Sequence, residues 1–256
     1  MTNIIGLIPY SLDVRQWAAV IVGCICFGIS KTGFNGVSVI AVPLFALVFG
    51  AKESTGLALP LICFADLFAV VYYRRHAEWK YIWPLIPWVL AGFALALGVD
   101  YFIRTSRGFK FLIGACVIAG LVVMVWNELR GRKDAGPPGG LWAPAFFGVL
   151  GGFSTMIGNA AGPIMSVFLL SVRLPKESFV GTAAWFFLIV NYLKIPLQAL
   201  VWRNISGRTL WLDLYLVPFI LLGVGLGILF VKGVNNNQYR VVTYALTFIS
   251  AALLFL

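Results

Sequence analysis

The polar residues best placed to do chemistry in this chain lie in two short stretches, each inside a long apolar run. The first reads Ser30-Lys31-Thr32-Gly33-Phe34-Asn35-Gly36-Val37-Ser38 and the second Ser154-Thr155-Met156-Ile157-Gly158-Asn159-Ala160-Ala161-Gly162-Pro163. In both, a serine is followed five positions later by an asparagine, Ser30 with Asn35 and Ser154 with Asn159. Small and polar residues of this kind interrupt a helix. Non-helical backbone inside a bilayer is tolerated only where protein buries it or where it lines a cavity. An interruption frees backbone N–H groups at the start of the next half-helix, and these, with the positive end of the helix dipole, suit an anion. Ser30, Thr32, Asn35 and Ser38, with Ser154, Thr155 and Asn159, would add hydroxyl and amide donors; Gly33 and Gly158 complete the two candidate binding stretches. Lys31 is either a direct charge partner for an anion or a snorkelling anchor, and Thr155 holds its place in the second stretch. The competing reading is that small residues such as Gly33, Gly36, Ala160 and Ala161 serve close helix packing; it explains the repeated serine–asparagine spacing less well.

Ionisable residues at membrane depth are the second source of chemistry, because a charge there costs at least a few kcal/mol. Lys194 and Asp66 both lie well inside apolar segments. Asn191, Lys194 and Gln198 fall at i, i+3 and i+7, a polar stripe on an apolar helix that should face the bundle interior or a water-filled path. Pathway lining or coupling to a proton or another ion is the functional reading for Asp66, Asn191, Lys194 and Gln198. An Asp66–Lys194 structural pair, or a kink patched at Pro196, is the alternative.

These residues must be held by membrane helices. The chain has 256 residues, 61% hydrophobic and 11% charged, where a soluble domain carries roughly a quarter charged residues. Runs such as 83–103, 109–126 and 210–231 approach or exceed the ~20 apolar residues that cross a bilayer core. They are too continuous for the alternating strands of a β-barrel. The chain also repeats itself. Gly28-Ile29-Ser30 with Asn35 returns as Gly152-Phe153-Ser154 with Asn159, and Lys52-Glu53-Ser54 as Lys176-Glu177-Ser178, each at an offset of 124. Farther on, Pro87–Gly92 matches Pro218–Gly223 at 131, Phe109-Lys110 matches Tyr239-Arg240 at 130, and Asp66 stands opposite Asn191 at 125. The expected fold is an all-α polytopic membrane protein of two homologous halves. Residues 1–127 form the first repeat, 128–140 a Gly/Pro-rich cytoplasmic linker and 141–256 the second repeat. Each half has a broken or re-entrant first segment (14–50; 141–172) and three helices, about 55–73, 82–103 and 109–127, then 179–201, 210–231 and 240–255.

The form of the first segment decides how the halves relate. If it is one discontinuous helix, each half crosses four times and the copies are parallel. If it turns back, the copies are inverted. Lysines and arginines divide 9 against 8 between the two sides in the parallel arrangement and 10 against 7 in the inverted one, so positive-inside orientation favours inversion, with both termini outside.

The remaining features are structural. The net charge of +10 comes from loop residues that read as topology and headgroup anchors rather than a nucleic-acid surface, and it favours an anionic partner. Cys24, Cys26, Cys63 and Cys116 read as buried thiols, without a metal or other cofactor. His76 reads as interfacial, and Trp79, Trp83, Trp142, Trp202 and Trp211 as aromatic-belt residues. In the two Lys-Glu-Ser sequences the carboxylate complements a helix start while the lysine reaches headgroups. No removable leader is expected.

The pattern of a short polytopic chain, two related halves and a small-residue motif in the first segment of each resembles the sulfite exporter TauE/SafE family. The motif stands here as Gly33-Phe34-Asn35-Gly36-Val37-Ser38-Val39-Ile40-Ala41-Val42-Pro43 and Gly158-Asn159-Ala160-Ala161-Gly162-Pro163-Ile164-Met165. The resemblance implies transport of small sulfur-containing or organic anions, such as sulfite or sulfoacetate, across a prokaryotic plasma membrane. The expectation is a secondary transporter working by alternating access around the paired breaks. A passive anion channel on the same repeat is a rival. An intramembrane enzyme is disfavoured by a single, peripheral histidine.

Overall fold

The computed structural model describes residues 10–50, 52–102 and 142–253. The linker at 128–140 and the helix expected at 109–127 lie outside the described residues. The first half comprises α1 (Val14–Thr32), a 3-10 turn (Asn35–Val37), α2 (Ser38–Phe49), α3 (Glu53–Tyr73), α4 (Trp79–Ile82) and α5 (Ile86–Phe102). The second comprises α6 (Ala143–Gly158), α7 (Gly162–Ser171), α8 (Lys176–Pro196), α9 (Gly207–Gly233) and α10 (Asn236–Leu253). Among the described residues, five segments can cross a membrane by length and apolar composition: Val14–Thr32, Glu53–Tyr73, Trp79–Val99, Lys176–Val201 and Gly207–Gly233. Large apolar side chains such as Val14, Leu47, Val71, Leu200 and Leu229 point outward, as suits a hydrocarbon surround.

Local sequence sets the boundaries. Asp13 caps α1 in a reciprocal pair with Gln16, accepting from its N–H at 2.7 Å and donating its own to Oε1 at 2.9 Å. Ser206 and Thr209 do the same for α9. The helix expected from 82 is interrupted at Trp83-Pro84-Leu85, where proline withholds a donor, so Trp79–Ile82 stands as a separate turn. Pro196 likewise loosens the end of α8 into a π-turn, Leu197–Val201.

In each half the first segment is a hairpin. The Phe45 ring packs 5.3 Å from that of Phe27, and Phe49 lies 5.6 Å from Tyr10, so α2 returns along α1. Phe168 packs 5.5 Å from Phe147, so α7 returns along α6. The loops then gather at two ends. At one end the Arg208 guanidinium lies 4.5 Å over the Tyr10 ring and the Asn204 amide donates to Lys52 O at 3.0 Å. At the other, His76 pairs with Glu177 at 3.2 Å. There Lys176 does not reach outward to headgroups. Its ammonium donates to Val231 O at 2.9 Å and Val234 O at 2.6 Å, capping the end of α9.

The halves are joined by two reciprocal crossings without side-chain spacers. A Cβ at Gly28 of α1 would overlap Ile220 O of α9, and one at Gly223 would overlap Ile25 O. In the second crossing, a Cβ at Gly152 of α6 would overlap Val89 O of α5, and one at Gly92 would overlap Val149 O. Gly28 and Gly152 are repeat equivalents, as are Gly92 and Gly223, and so are the residues they meet. Backbone-to-backbone approach of this kind is how membrane helices gain packing energy without a hydrophobic driving force. Gly28→Ala or Gly152→Ala should therefore cost at least about 1–3 kcal/mol, because a carbonyl cannot move aside as a flexible side chain can. Gly98→Ala, with no described residue within 4 Å of its Cβ, should gain up to about 1 kcal/mol in helix propensity. Thermal melts of the three variants in detergent check the contrast.

Candidate functional site

The tips of the two hairpins meet. A Cβ on Gly162, at the start of α7, would overlap Asn35 O in the first break. Beside this contact is a small cavity whose lining includes Lys31 and Thr155, Ser38 and Gly162, and Ile62 and Phe187. Each of these three pairs joins repeat equivalents, at offsets of 124, 124 and 125, so the cavity sits where the two halves map onto each other. Asp66 and Asn191, also equivalents, touch directly beside it: the Asn191 amide donates to Asp66 Oδ2 at 2.6 Å. The free space is about 10 Å3 for the centre of a water-sized sphere, room for about one water.

Three charges lie buried here. Lys31 Nζ sits 3.0 Å from Asp66 Oδ1 and 4.1 Å over the centre of the Phe187 ring. With 8% of the side chain exposed, Lys31 is an inward ion-pair partner and does not snorkel. The Asp66–Lys194 pair weighed from sequence gives way to this Lys31–Asp66 pair. Lys194, fully buried, instead donates to Thr155 O at 2.9 Å, to Thr155 Oγ1 at 3.3 Å and to Asn159 Oδ1. Its partners are neutral dipoles, not a carboxylate.

Asn159 is fixed from three directions. Its backbone is left-handed, φ 53°, as the cap of α6, with its N–H donating to Thr155 O at 3.0 Å. Its side-chain amide donates to Thr55 O at 3.1 Å, and its carbonyl oxygen receives Lys194.

The structure divides the remaining sequence-derived candidates. Ser30 and Ser38 line the cavity, but both hydroxyls donate to Asn35 O, at 3.0 and 2.8 Å. Thr32 faces α9 and donates to Val224 O at 2.8 Å. Gly33 O receives the Tyr239 hydroxyl at 2.9 Å. Gly158 ends α6 and is not part of the cavity lining. The Asn35 amide nitrogen and the Ser154 hydroxyl are buried without a hydrogen-bond partner among the described residues. Gln198 continues the polar stripe past the cavity, donating to Met156 O at 3.3 Å. Among the described residues no three His, Cys, Asp or Glu side chains group closely enough to hold a metal ion.

Sequence reasoning missed the apolar wall of Phe27, Ile62 and Phe187. The signal was present: Phe187 lies one turn before Asn191 and Ile62 one turn before Asp66, on the same helix faces. It also passed over Asp213, an acid within an apolar run, now seen buried on α9 with neither carboxylate oxygen hydrogen-bonded among the described residues.

The sequence model of the family described as sulfite exporter TauE/SafE matches residues 18–254. The chain belongs to this family. No curated protein and no solved structure matches it. The TauE/SafE match covers all but the first turn of the two hairpins, both glycine crossings and every residue of the cavity lining. Family membership and the apolar helices together make the chain a multi-pass membrane protein of the sulfite-exporter transport type.

The geometry at Asn159 gives a ranked prediction. Asn159→Gly keeps the left-handed turn and loses two side-chain hydrogen bonds, to Thr55 O and from Lys194, of which the one to the charged donor alone is worth about 1.5–3 kcal/mol. Asn159→Ala loses the same bonds and adds about 1–2 kcal/mol of left-handed strain. Melting temperatures should fall in the order parent, glycine variant, alanine variant; equal melts for the two variants would mean that the turn is not held rigid.

Proposed function

We propose that this TauE/SafE chain is a secondary transporter that exports a small sulfur-containing or organic anion, such as sulfite or sulfoacetate, across a prokaryotic plasma membrane. The observation that carries the reading is the cavity between the hairpin tips. Its lining holds Lys31 and the start of α7, and directly behind that lining Asp66 pairs with Lys31 while Lys194 donates to Thr155 and Asn159. An unpaired cation at membrane depth costs at least about 2.5 kcal/mol, and a bound anion would offset it. The start of α7 adds the positive end of a helix dipole. The cavity is too small for an oxyanion, so binding requires the hairpin tips to separate, and alternating access around the two breaks is the corresponding cycle.

We further propose that the halves are inverted repeats. The hairpin form of both first segments supports this, since a segment that turns back leaves an odd number of crossings per half. The grouping of loops supports it too. Arg74, Arg75, Lys80, Arg173, Lys176, Lys232 and Arg240 belong to the end where His76 meets Glu177, against Arg15, Lys52, Arg203 and Arg208 at the other. The richer end would face the cytoplasm.

Two measurements test these readings. In proteoliposomes loaded with labelled sulfite or sulfoacetate, the parent should show saturable flux and counterflow, and Asn35→Ala and Asn159→Ala should reduce it. Variants that carry every anion like the parent would place the site elsewhere, and single-channel currents would make the protein a channel. In a cysteine-free background, His76→Cys should react with a membrane-impermeant maleimide only from the cytoplasmic face and Arg203→Cys only from the outer face; the reverse pattern would overturn the orientation.

A further inference from the structure

At the end of the molecule where His76 meets Glu177, away from the cavity, α3 and α9 flank an open groove of about 550 Å3. The α3 side is made by Phe68, Val71, Tyr72 and Arg75. These fall at i, i+3, i+4 and i+7, one face of the helix and of the turn that follows it. The α9 side is made by Val224 and Ile228. One turn further on comes Lys232, whose Nζ lies 5.5 Å over the centre of the Tyr72 ring. Both stripes run in the same order, apolar side chains first and a cation last. Each extends over about 10–12 Å at the rise of an α-helix.

Arg74 and His76 join Arg75 at the mouth. The nearby acids are engaged by other cations: Glu177 lies 3.2 Å from His76, and Glu78 3.4 Å from Lys80. Arg74 and Arg75 pair with no carboxylate among the described residues. The positive-inside bias favours basic residues at this end, and the C-termini of α3 and α9 present the negative pole of their dipoles. Neither effect requires that cations terminate two apolar stripes lining one groove. Nor does the repeat require them. The equivalents of Arg74, Arg75 and His76, at an offset of 125, are Ala199, Leu200 and Val201.

We propose that this groove holds one anionic phospholipid of the surrounding leaflet, its phosphate among Arg74, Arg75 and Lys232 and an acyl chain along Phe68, Val71 and Ile228. Guanidinium groups match phosphate oxygens in bidentate fashion, and basic pockets between membrane helices take such headgroups. The order of each stripe is the order of a phospholipid from tail to headgroup. A free anion would have no use for the apolar floor. The tail would cover Phe68 and Val71, which are 39% and 64% exposed. The site is separate from the cavity, so it stands or falls apart from the transporter reading.

The test is native mass spectrometry of the full chain released from detergent micelles, with phosphatidylglycerol and phosphatidylcholine of identical acyl chains supplied in equal amounts. The parent should retain one phosphatidylglycerol, favoured over phosphatidylcholine by at least about tenfold. Arg74→Gln combined with Arg75→Gln should reduce that preference by about tenfold or more. Lys80→Gln combined with Arg173→Gln removes the same charge at the same end, outside the groove lining, and should keep it. Glycerol phosphate, which carries the headgroup charge without tails, should not displace the lipid even in excess; displacement at equal concentration would make the groove a free-anion site. Equal retention of the two lipids by the parent, or equal loss in the two double variants, would overturn the proposal. Arg74 and Arg75 are exposed, so their double variant should melt at the parent's temperature, and its lipid count then reports the groove alone.

Discussion

Everything in this fold answers to one constraint: peptide groups that leave a helix inside a bilayer must find partners within the protein. Two breaks at membrane depth raise that demand sharply, and the surrounding side chains meet it. In the first break Asn35 O takes the hydroxyls of Ser30 and Ser38, Thr32 O takes Tyr73, Gly33 O takes Tyr239 and Gly36 O takes Ser250. In the second, Asn159 N–H and Lys194 both turn to Thr155 O. The constraint explains why hydroxyl-rich stretches accompany the breaks, and why most of those hydroxyls are occupied. Lys194, by contrast, meets only neutral acceptors, Thr155 O, Thr155 Oγ1 and Asn159 Oδ1.

Much of this was legible in the sequence. The offset of 124 located both breaks, and the spacing of Asn191, Lys194 and Gln198 announced an inward face; all three side chains are buried. Asp66 and Asn191, noted as opposite each other in the repeat, meet at the junction of the halves. What the residues alone did not yield was how each polar group is used. Ser30 and Ser38 look like ligand donors because a serine hydroxyl suits an anion and a backbone carbonyl equally well, and only the fold of the turn chooses. Lys194 was evident as a cation inside an apolar segment, and Lys31 only as a partner or a snorkelling anchor, yet which one takes Asp66 depends on side-chain reach between α1 and α3. The hairpin form of 14–50 was one of two lengths-compatible alternatives; the Phe27–Phe45 and Phe147–Phe168 pairs that distinguish them are ordinary apolar residues until the chain has turned.

The two halves have diverged where chemistry differs and stayed alike where backbones touch. The glycines at both crossings are retained in each copy, since the approach they allow tolerates no side chain. Around the cavity the copies instead exchange lysine for threonine, alanine for lysine and asparagine for aspartate. Matched crossings with unmatched charged residues between them give the scaffold a polarity of charge that a perfectly symmetric pair could not have.

The crossings also redraw the units of the molecule. Because α1 is clamped to α9 and α6 to α5, each hairpin is fastened more intimately to the opposite repeat than to much of its own. The buried apolar clusters also mix the copies: one gathers α1, α2 and α3 with α9, and another joins α5 to α6, α7 and α8 together with Phe34, Tyr73, Val231, Tyr239 and Ala251. Each cluster is thus made of pieces from both copies, so the repeat in the sequence and the packing of the fold run along different lines.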